Sequence, residues 1–308
     1  MTVSVILPTY RAEKYLEPLL EALHSQTLRP LEVIVIDSSS PDQTAQIARD
    51  AGCMVKVIPQ SEFNHGATRN LGARMATGEV LVFMTQDALP AHEGFLEALV
   101  SPIHSGTAAA AYARQLPYPE APPPEVFARH FNYPAQSHLQ TLEDVPRKGF
   151  KAFFYSDVAS AVRRETFWEM GGYPDWVIVD EDVYFCAKLL RSGLRVAYQA
   201  EAQVFHSHHY PLAQQFRRIF DVGVFVAQAG EMLEGAKVGG EGLRFVSAQV
   251  RYLARQGEWA WIPYSVLEAA LKFVAYQMGV RHHALPGRLN RYLSQQKQHW
   301  ARKVVTNS

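Results

Sequence analysis

Along the first hundred residues, short apolar runs alternate with stretches whose apolar positions recur at helical spacing. Val3 to Leu7 is short and β-branched, and Pro8 stops it. Tyr15, Leu16, Leu19, Leu20 and Leu23 then form one helical face. Leu31 to Ile36 is a near-continuous apolar run, the pattern of a strand buried on both faces of a parallel sheet. It ends in Asp37 and three serines. Ser40-Pro41-Asp42-Gln43 predicts a helix start, with Ser40 as cap, Pro41 at the first helical position and Gln43 completing a capping box. A third strand is expected over Val55 to Ile58, a third helix over Ala67 to Ala76, and a fourth strand over Val80 to Met84. Strands separated by helices imply right-handed crossovers and an α/β sheet covered on both faces. Ligands of such sheets sit beyond the carboxyl ends of the strands, where Asp37 and Asp87 both stand.

Leu116 to Pro124 is proline-dense and reads as a loop, opening an insertion that runs to about Phe154 and lies over the site. Order returns with Asp157 to Val162 and a helical turn at Glu165 to Met170, before Gly171-Gly172. Val183, Ala187 and Leu190 share a helical face that Gly193 closes. Arg195 to Tyr198 and Ala202 to Phe205 read as two short strands. From Leu212 the pattern is helical, with Phe216, Ile219, Phe220, Gly223 and Val224 as a stripe. The expected organisation is a catalytic domain over 1–211, divided into a nucleotide-sugar half (about 1–115) and an acceptor half (about 116–211), followed by a helical extension over 212–308.

Composition narrows this only slightly. Hydrophobic residues make up 48% and charged residues 19% of 308 positions, an ordinary globular balance. Thirty basic residues against thirty acidic ones give no field that would select nucleic acid. Two distant cysteines exclude a disulfide framework and make the cytoplasm the default compartment. Thr2 to Pro8 is too short for the apolar core of an export signal. The longest apolar stretch, Trp259 to Val280, carries Pro263, Glu268 and Lys272 and reads as packed or interfacial, not membrane-spanning.

Five segments carry more information together than any does alone: SVILPTYRAEKYL, EVIVIDSSSPDQT, TRNLGARMATGEVLVFMTQDALP, GGYPDWVIVDEDVYF and AQVFHSHHY. In this order they resemble glycosyltransferase family 2, and FNHGATRN, FMTQDALP and VFHSHHYPLAQQFRRIFDVGVF resemble its bacterial rhamnosyltransferase group. The resemblance runs from Thr2 to Phe225. It implies a GT-A nucleotide-sugar fold with a mostly parallel central sheet and a helical C-terminal appendage. The activity implied is inverting, metal-assisted transfer of a sugar from a nucleoside diphosphate, with dTDP-rhamnose favoured and a UDP-sugar as the alternative.

The resemblance also assigns roles. Pro8, Thr9, Tyr10, Asp37, Arg69 and Gln86 fall to the nucleotide, with Asp37 accepting from the base. Thr85-Gln86-Asp87 occupies the place of the family's DxD motif, so Asp87 is the expected ligand of Mg2+ or Mn2+, with one carboxylate fewer than usual. Arg69 at a helix start suits a diphosphate, and a structural pairing with a sheet-end aspartate is the competing role. Asp180-Glu181-Asp182 places three carboxylates together, raising at least one pKa toward the range of a general base. The family's Glu-Asp motif makes Asp182 that base and gives Glu181 the orientation of acceptor or backbone. His206 completes the metal site, whereas His208 and His209 read as a solvated cluster. Trp176 could stack on an acceptor sugar, though packing is the commoner fate of such a tryptophan.

From Arg281 to Ser308 there are six Lys or Arg and no Asp or Glu. Beside the Trp259 stretch, this fits either a peripheral contact with anionic lipid on the inner face of the membrane or packing onto the catalytic domain or a second subunit of a homodimer. The acceptor is then a glycan or a lipid-linked glycan. Two rival classes remain: a nucleotidyltransferase, which should carry a glycine-rich loop where Leu7-Pro8-Thr9-Tyr10-Arg11 has none, and a degenerate transferase that only binds nucleotide sugar. No GxGxxG follows any strand, which excludes a dinucleotide oxidoreductase.

Overall fold

The computed structural model describes residues 1–236 and 241–306. Nine strands form one sheet: β1 (Val3–Thr9), β2 (Glu32–Asp37), β3 (Met54–Val57), β4 (Val80–Met84), β5 (Leu89–Pro90), β6 (Ala110–Leu116), β7 (His138–Gln140), β8 (Ala159–Arg163) and β9 (Val196–Phe205). Their order is β3-β2-β1-β4-β8-β6-β9-β5, with β7 added to β9. The first four pair in parallel, with Thr9 opposite Asp37 at the carboxyl ends. β8 then inserts antiparallel between β4 and β6.

The alternation of each strand divides the core into two layers. Val3, Val5, Leu7, Val80, Val82 and Met84 pack with the helices Glu13–His24 and Phe95–His104. Ile6, Ile34, Leu81 and Phe83 face the other way, against residues of the helices His65–Met75 and Glu181–Arg191. Gly72 permits that approach, since a Cβ there would lie 2.5 Å from Ile6 Cγ2.

Three local expectations need correction. The second helix begins at Thr44, not Pro41, because Ser40 bonds back to Asp37 and Asp42 Oδ1 accepts from the Thr44 N–H (3.1 Å) and hydroxyl (2.6 Å). The two short strands before His206 are one strand, β9, whose register against β6 shifts between Ala113 and Arg114. The insertion after Leu116 contains a helix, Pro123–Asn132, started by its prolines.

The C-terminal region comprises the helices Leu212–Ala229, Glu241–Gln256, Trp261–Val280, Gly287–Leu293 and Lys297–Thr306. Two of them meet at glycines: a Cβ on Gly279 would stand 2.1 Å from Phe220 O, and one on Gly223 2.4 Å from Tyr276 O. Glu268 and Lys272 form the expected ion pair at 3.0 Å. Trp259, Val266, Leu267, Phe273 and Val274 remain exposed. Among the described residues, no helix is long and apolar enough to cross a membrane.

Candidate active site

The ends of β1, β2 and β4 build one wall of a 450 Å³ cavity that includes Pro8, Thr9, Tyr10, Ser38, Gln86 and Asp87. Gln86 ties β4 to β1: its Oε1 accepts from the Tyr10 N–H at 2.8 Å and its Nε2 donates to Tyr10 O at 3.1 Å. Asp37 lies beneath this wall, 1% exposed. Its Oδ1 accepts from Thr9 Oγ1 (3.1 Å) and Ser40 Oγ (2.6 Å), and its Oδ2 accepts from the Ser40 N–H (2.9 Å). Ser39, at φ 55°, turns the chain so that Ser40 reaches it. These bonds fix the Asp37 carboxylate at the base of the wall, and Oδ2, with one bond from Ser40, keeps acceptor capacity.

A second cavity of 510 Å³ adjoins the first, and His65, Arg69, Thr85, Asp87, Gln295 and Gln296 line both. Asp182, Glu181, His206 and His208 line only the second.

Asp87, His206 and His208 offer ligand atoms within 4.8 Å of one another. His208 Nε2 lies 2.9 Å from Asp87 Oδ2, and His206 Nε2 lies 3.7 Å from Asp87 Oδ1. His206 Nδ1 sits 3.0 Å from Gln115 Oε1, and Arg129 Nη1 donates to that same oxygen. A proton on Nδ1 toward Gln115 would leave the Nε2 lone pair facing Asp87 and His208 Nε2, the latter 3.1 Å away. Burial pushes His206 down to about 3, with Asp87 opposing, so its imidazole is neutral at physiological pH. Burial would raise Asp87, but the His208 hydrogen bond and, in the acid range where His206 is protonated, the histidine charges bring it to about 2. One ionised carboxylate and two imidazoles suit a divalent cation such as Mn2+. His208 was expected to be a solvated residue; the turn after β9 brings it into this cluster instead. His209 points away, edge-on to Trp261 with ring centroids 5.9 Å apart.

Asp182 follows Asp180, which takes a left-handed conformation (φ 58°) immediately before the helix Glu181–Arg191. Asn70 braces the glycine turn upstream, accepting from the Tyr173 N–H at 2.9 Å and donating to Tyr173 O at 2.8 Å. Asp182 Oδ2 accepts from the Asp157 N–H at 3.0 Å, and Oδ1 from the Val183 N–H at 2.8 Å. Burial, then the charges of Asp157, Glu181 and Asp180, push Asp182 well above the usual carboxylate range. Burial and Glu181 likewise raise Asp180 to about 7. A carboxyl so placed at a cavity wall can accept a proton near neutral pH.

Arg69 is 5% exposed and spends its guanidinium on two carboxylates, with Nη1 2.8 Å from Glu181 and Nε 3.2 Å from Asp157. Of its two expected roles, the structural pairing is the one observed. Asp157, raised by burial to about 6 against the pull of Arg69, also accepts from Ser160 Oγ and Tyr173 Oη. Nothing around Asp157 in the sequence marks it, because its importance comes from contacts 16 and 25 residues away. Trp176 is 48% exposed, stands edge-on to Tyr184 and lies outside the lining of both cavities.

The model of glycosyl transferase family 2 matches residues 4–171. The chain is also 38% identical, over 97% of its length and 96% of the relative's, to the O-antigen chain rhamnosyltransferase RfbN of Salmonella typhimurium. The chain belongs to glycosyltransferase family 2. A second relative, the O-antigen chain rhamnosyltransferase WbaN of Salmonella anatum, is 37% identical over 96% of this chain and 95% of its own. The fold of this family 2 enzyme is similar to that of mannosyltransferase PcManGT from Pyrobaculum calidifontis in complex with GDP-Man and Mn2+ (TM-score 0.58, 19% identity, covering 99% of this chain and 86% of that one). It is also similar to S. aureus TarS 1-349 in complex with UDP (TM-score 0.54, 18% identity, covering 92% and 91%). The α/β GT-A fold and the glycosyltransferase activity expected from the sequence both stand.

Proposed function

We propose that this glycosyltransferase moves rhamnose from a thymidine diphosphate donor to a hydroxyl of a glycan or lipid-linked glycan, with inversion in a single displacement. The observation that carries the reading is the division at Asp87: that residue lines both cavities, whereas Asp182 lines only the larger. The smaller cavity, walled by Pro8, Thr9, Tyr10 and Gln86, takes the nucleotide; the larger takes the acceptor. The preference for rhamnose rests on the two nearly full-length relatives, both named rhamnosyltransferases.

Asp87, His206 and His208 would hold Mg2+ or Mn2+, which supplies charge neutralisation to the departing diphosphate. Asp182 Oδ2 or Oδ1 takes the proton of the acceptor hydroxyl as that oxygen attacks the anomeric carbon. Glu181 acts through Arg69 and holds the carboxylate cluster in place. Residues 1–211 form the catalytic part of this reading and 212–308 the extension. The exposed apolar positions Trp259, Val266 and Phe273 recur every seven residues and support a peripheral contact with the inner face of the membrane. Co-sedimentation with anionic vesicles tests that contact, and vesicle-independent dimerisation through the same face would replace it.

The test of the transfer itself is nucleotide release from dTDP-rhamnose, UDP-glucose and UDP-N-acetylglucosamine, each with Mn2+ or chelator, in the presence of acceptor glycan. Metal-dependent dTDP release is expected. UDP release alone would move the donor to the uridine class, and stable binding without any release would leave a binding protein.

A further inference from the structure

The smaller cavity is closed by the far end of the chain, since Gln295, Gln296, Lys297 and Gln298 all line it. This segment is fixed by built contacts. Asp221, fully buried, accepts through Oδ2 from the N–H groups of Gln295 (2.9 Å) and Gln296 (3.2 Å). Ser294 Oγ accepts from the Gln296 N–H at 2.9 Å. The Gln296 amide nitrogen then reaches His65 Nε2 at 3.2 Å, on the helix that also carries Arg69.

The charge of the cavity lining is unbalanced in an informative way. Among the described residues it holds two full cations, Arg69 and Lys297, and one carboxylate, Asp87. Arg69 is already neutralised by Glu181 and Asp157, so its charge is not available to a ligand. Lys297 is exposed at the cavity and has no ion pair among the described residues. A nucleoside diphosphate brings at least two negative charges, more than one divalent cation held by the ionised Asp87 can offset.

We propose that Lys297 is the protein cation that binds the donor diphosphate, presented by a C-terminal strap pinned to Asp221. The proposal rests on the donor-site reading above and assigns to the strap a role that the strand-end residues do not fill. An ammonium suits the task as a compact charge on a flexible stem, able to follow a leaving diphosphate.

Titration of dTDP and of dTMP in Mn2+, by calorimetry on the full chain, tests it with Lys297→Ala, Lys297→Arg and Lys297→Glu. Lys297 is exposed, so these variants keep the fold. The Ala variant should weaken dTDP by about tenfold and dTMP by less. Glu should weaken dTDP further, and Arg should restore most of the affinity. Wild-type dTDP affinity in the Ala and Glu variants would overturn the assignment, as would equal losses for dTDP and dTMP. A wild-type protein that binds neither dTDP nor UDP would remove the donor-site reading itself, and the proposal with it.

Discussion

The backbone N–H of Asp157 donates to Asp182 Oδ2 at 3.0 Å, while the Asp157 carboxylate stands close enough to raise the pKa of the residue its own amide stabilises. The two effects act on different things. The amide fixes where the Asp182 carboxylate points; burial and the neighbouring charge set its affinity for a proton. Arg69 keeps the arrangement from flying apart by holding Asp157 and Glu181 together.

Asp182→Asn keeps the shape and removes the proposed base. Its kcat should fall by about 10²–10⁴, with dTDP affinity in Mn2+ unchanged. In the wild type the rate should climb with pH, because the raised carboxyl group becomes a base only once it has lost its proton. That acid limb belongs to the cluster, since Asp157 near 6 and Asp180 near 7 titrate with it. Wild-type turnover in the Asn variant would assign the proton transfer elsewhere.

The metal assignment separates two adjacent histidines. With nucleotide and Mn2+ at a hundred times the dissociation constant, thermal unfolding should report about 2.7 kcal/mol of stabilisation. Chelator should remove much of it. His208→Ala should do the same, whereas His209→Ala should not, because His209 packs against Trp261 and Tyr264. Identical Mn2+ responses in the two variants would take His208 out of the centre.

Asp180 should make the protein less stable as pH rises. Its pKa is raised from 3.8 to about 7 in the folded chain by burial and then Glu181, so between those values the folded state holds a proton that the unfolded state releases. Stability from this group is full below pH 4 and is lost on the way through pH 7. Asp180→Asn should flatten that decline in urea midpoints measured from pH 4 to 7.5. An unchanged slope would mean that Asp180 is not the proton-holding group.

Gly279 should tolerate no side chain. The Cβ of Gly279→Ala would meet Phe220 O at 2.1 Å and force two helices apart, at a cost of about 1–3 kcal/mol. Gly257→Ala has open space around it but φ 78°, so its smaller penalty measures backbone strain alone. Equal denaturation midpoints for Gly279→Ala and wild type would show that the helix pair can part freely.

What the sequence made legible depended on whether meaning was local. Asp87 and Asp182 sit in runs whose neighbours announce a strand end and a helix start, and their places in the two cavities follow from that. β6 was invisible because Ala110, Ala111 and Ala113 favour a helix as isolated residues and are held extended only by β8 and β9. Asp37 was placed correctly at a strand end, yet its bonds depend on the turn at Ser39, which no periodicity encodes. Asp157, His208 and Lys297 acquire their roles from residues far along the chain. No single stretch could announce them.

The bond between Gln296 and His65 joins residues 231 apart in sequence. One core cluster likewise takes Ile6 and Phe83 from the first strands and Phe220, Ala275 and Trp300 from the C-terminal helices. The cavity beside Lys297 is therefore complete only when both ends of the described chain are packed together, so a destabilised C-terminal helix is felt at the strand ends as well.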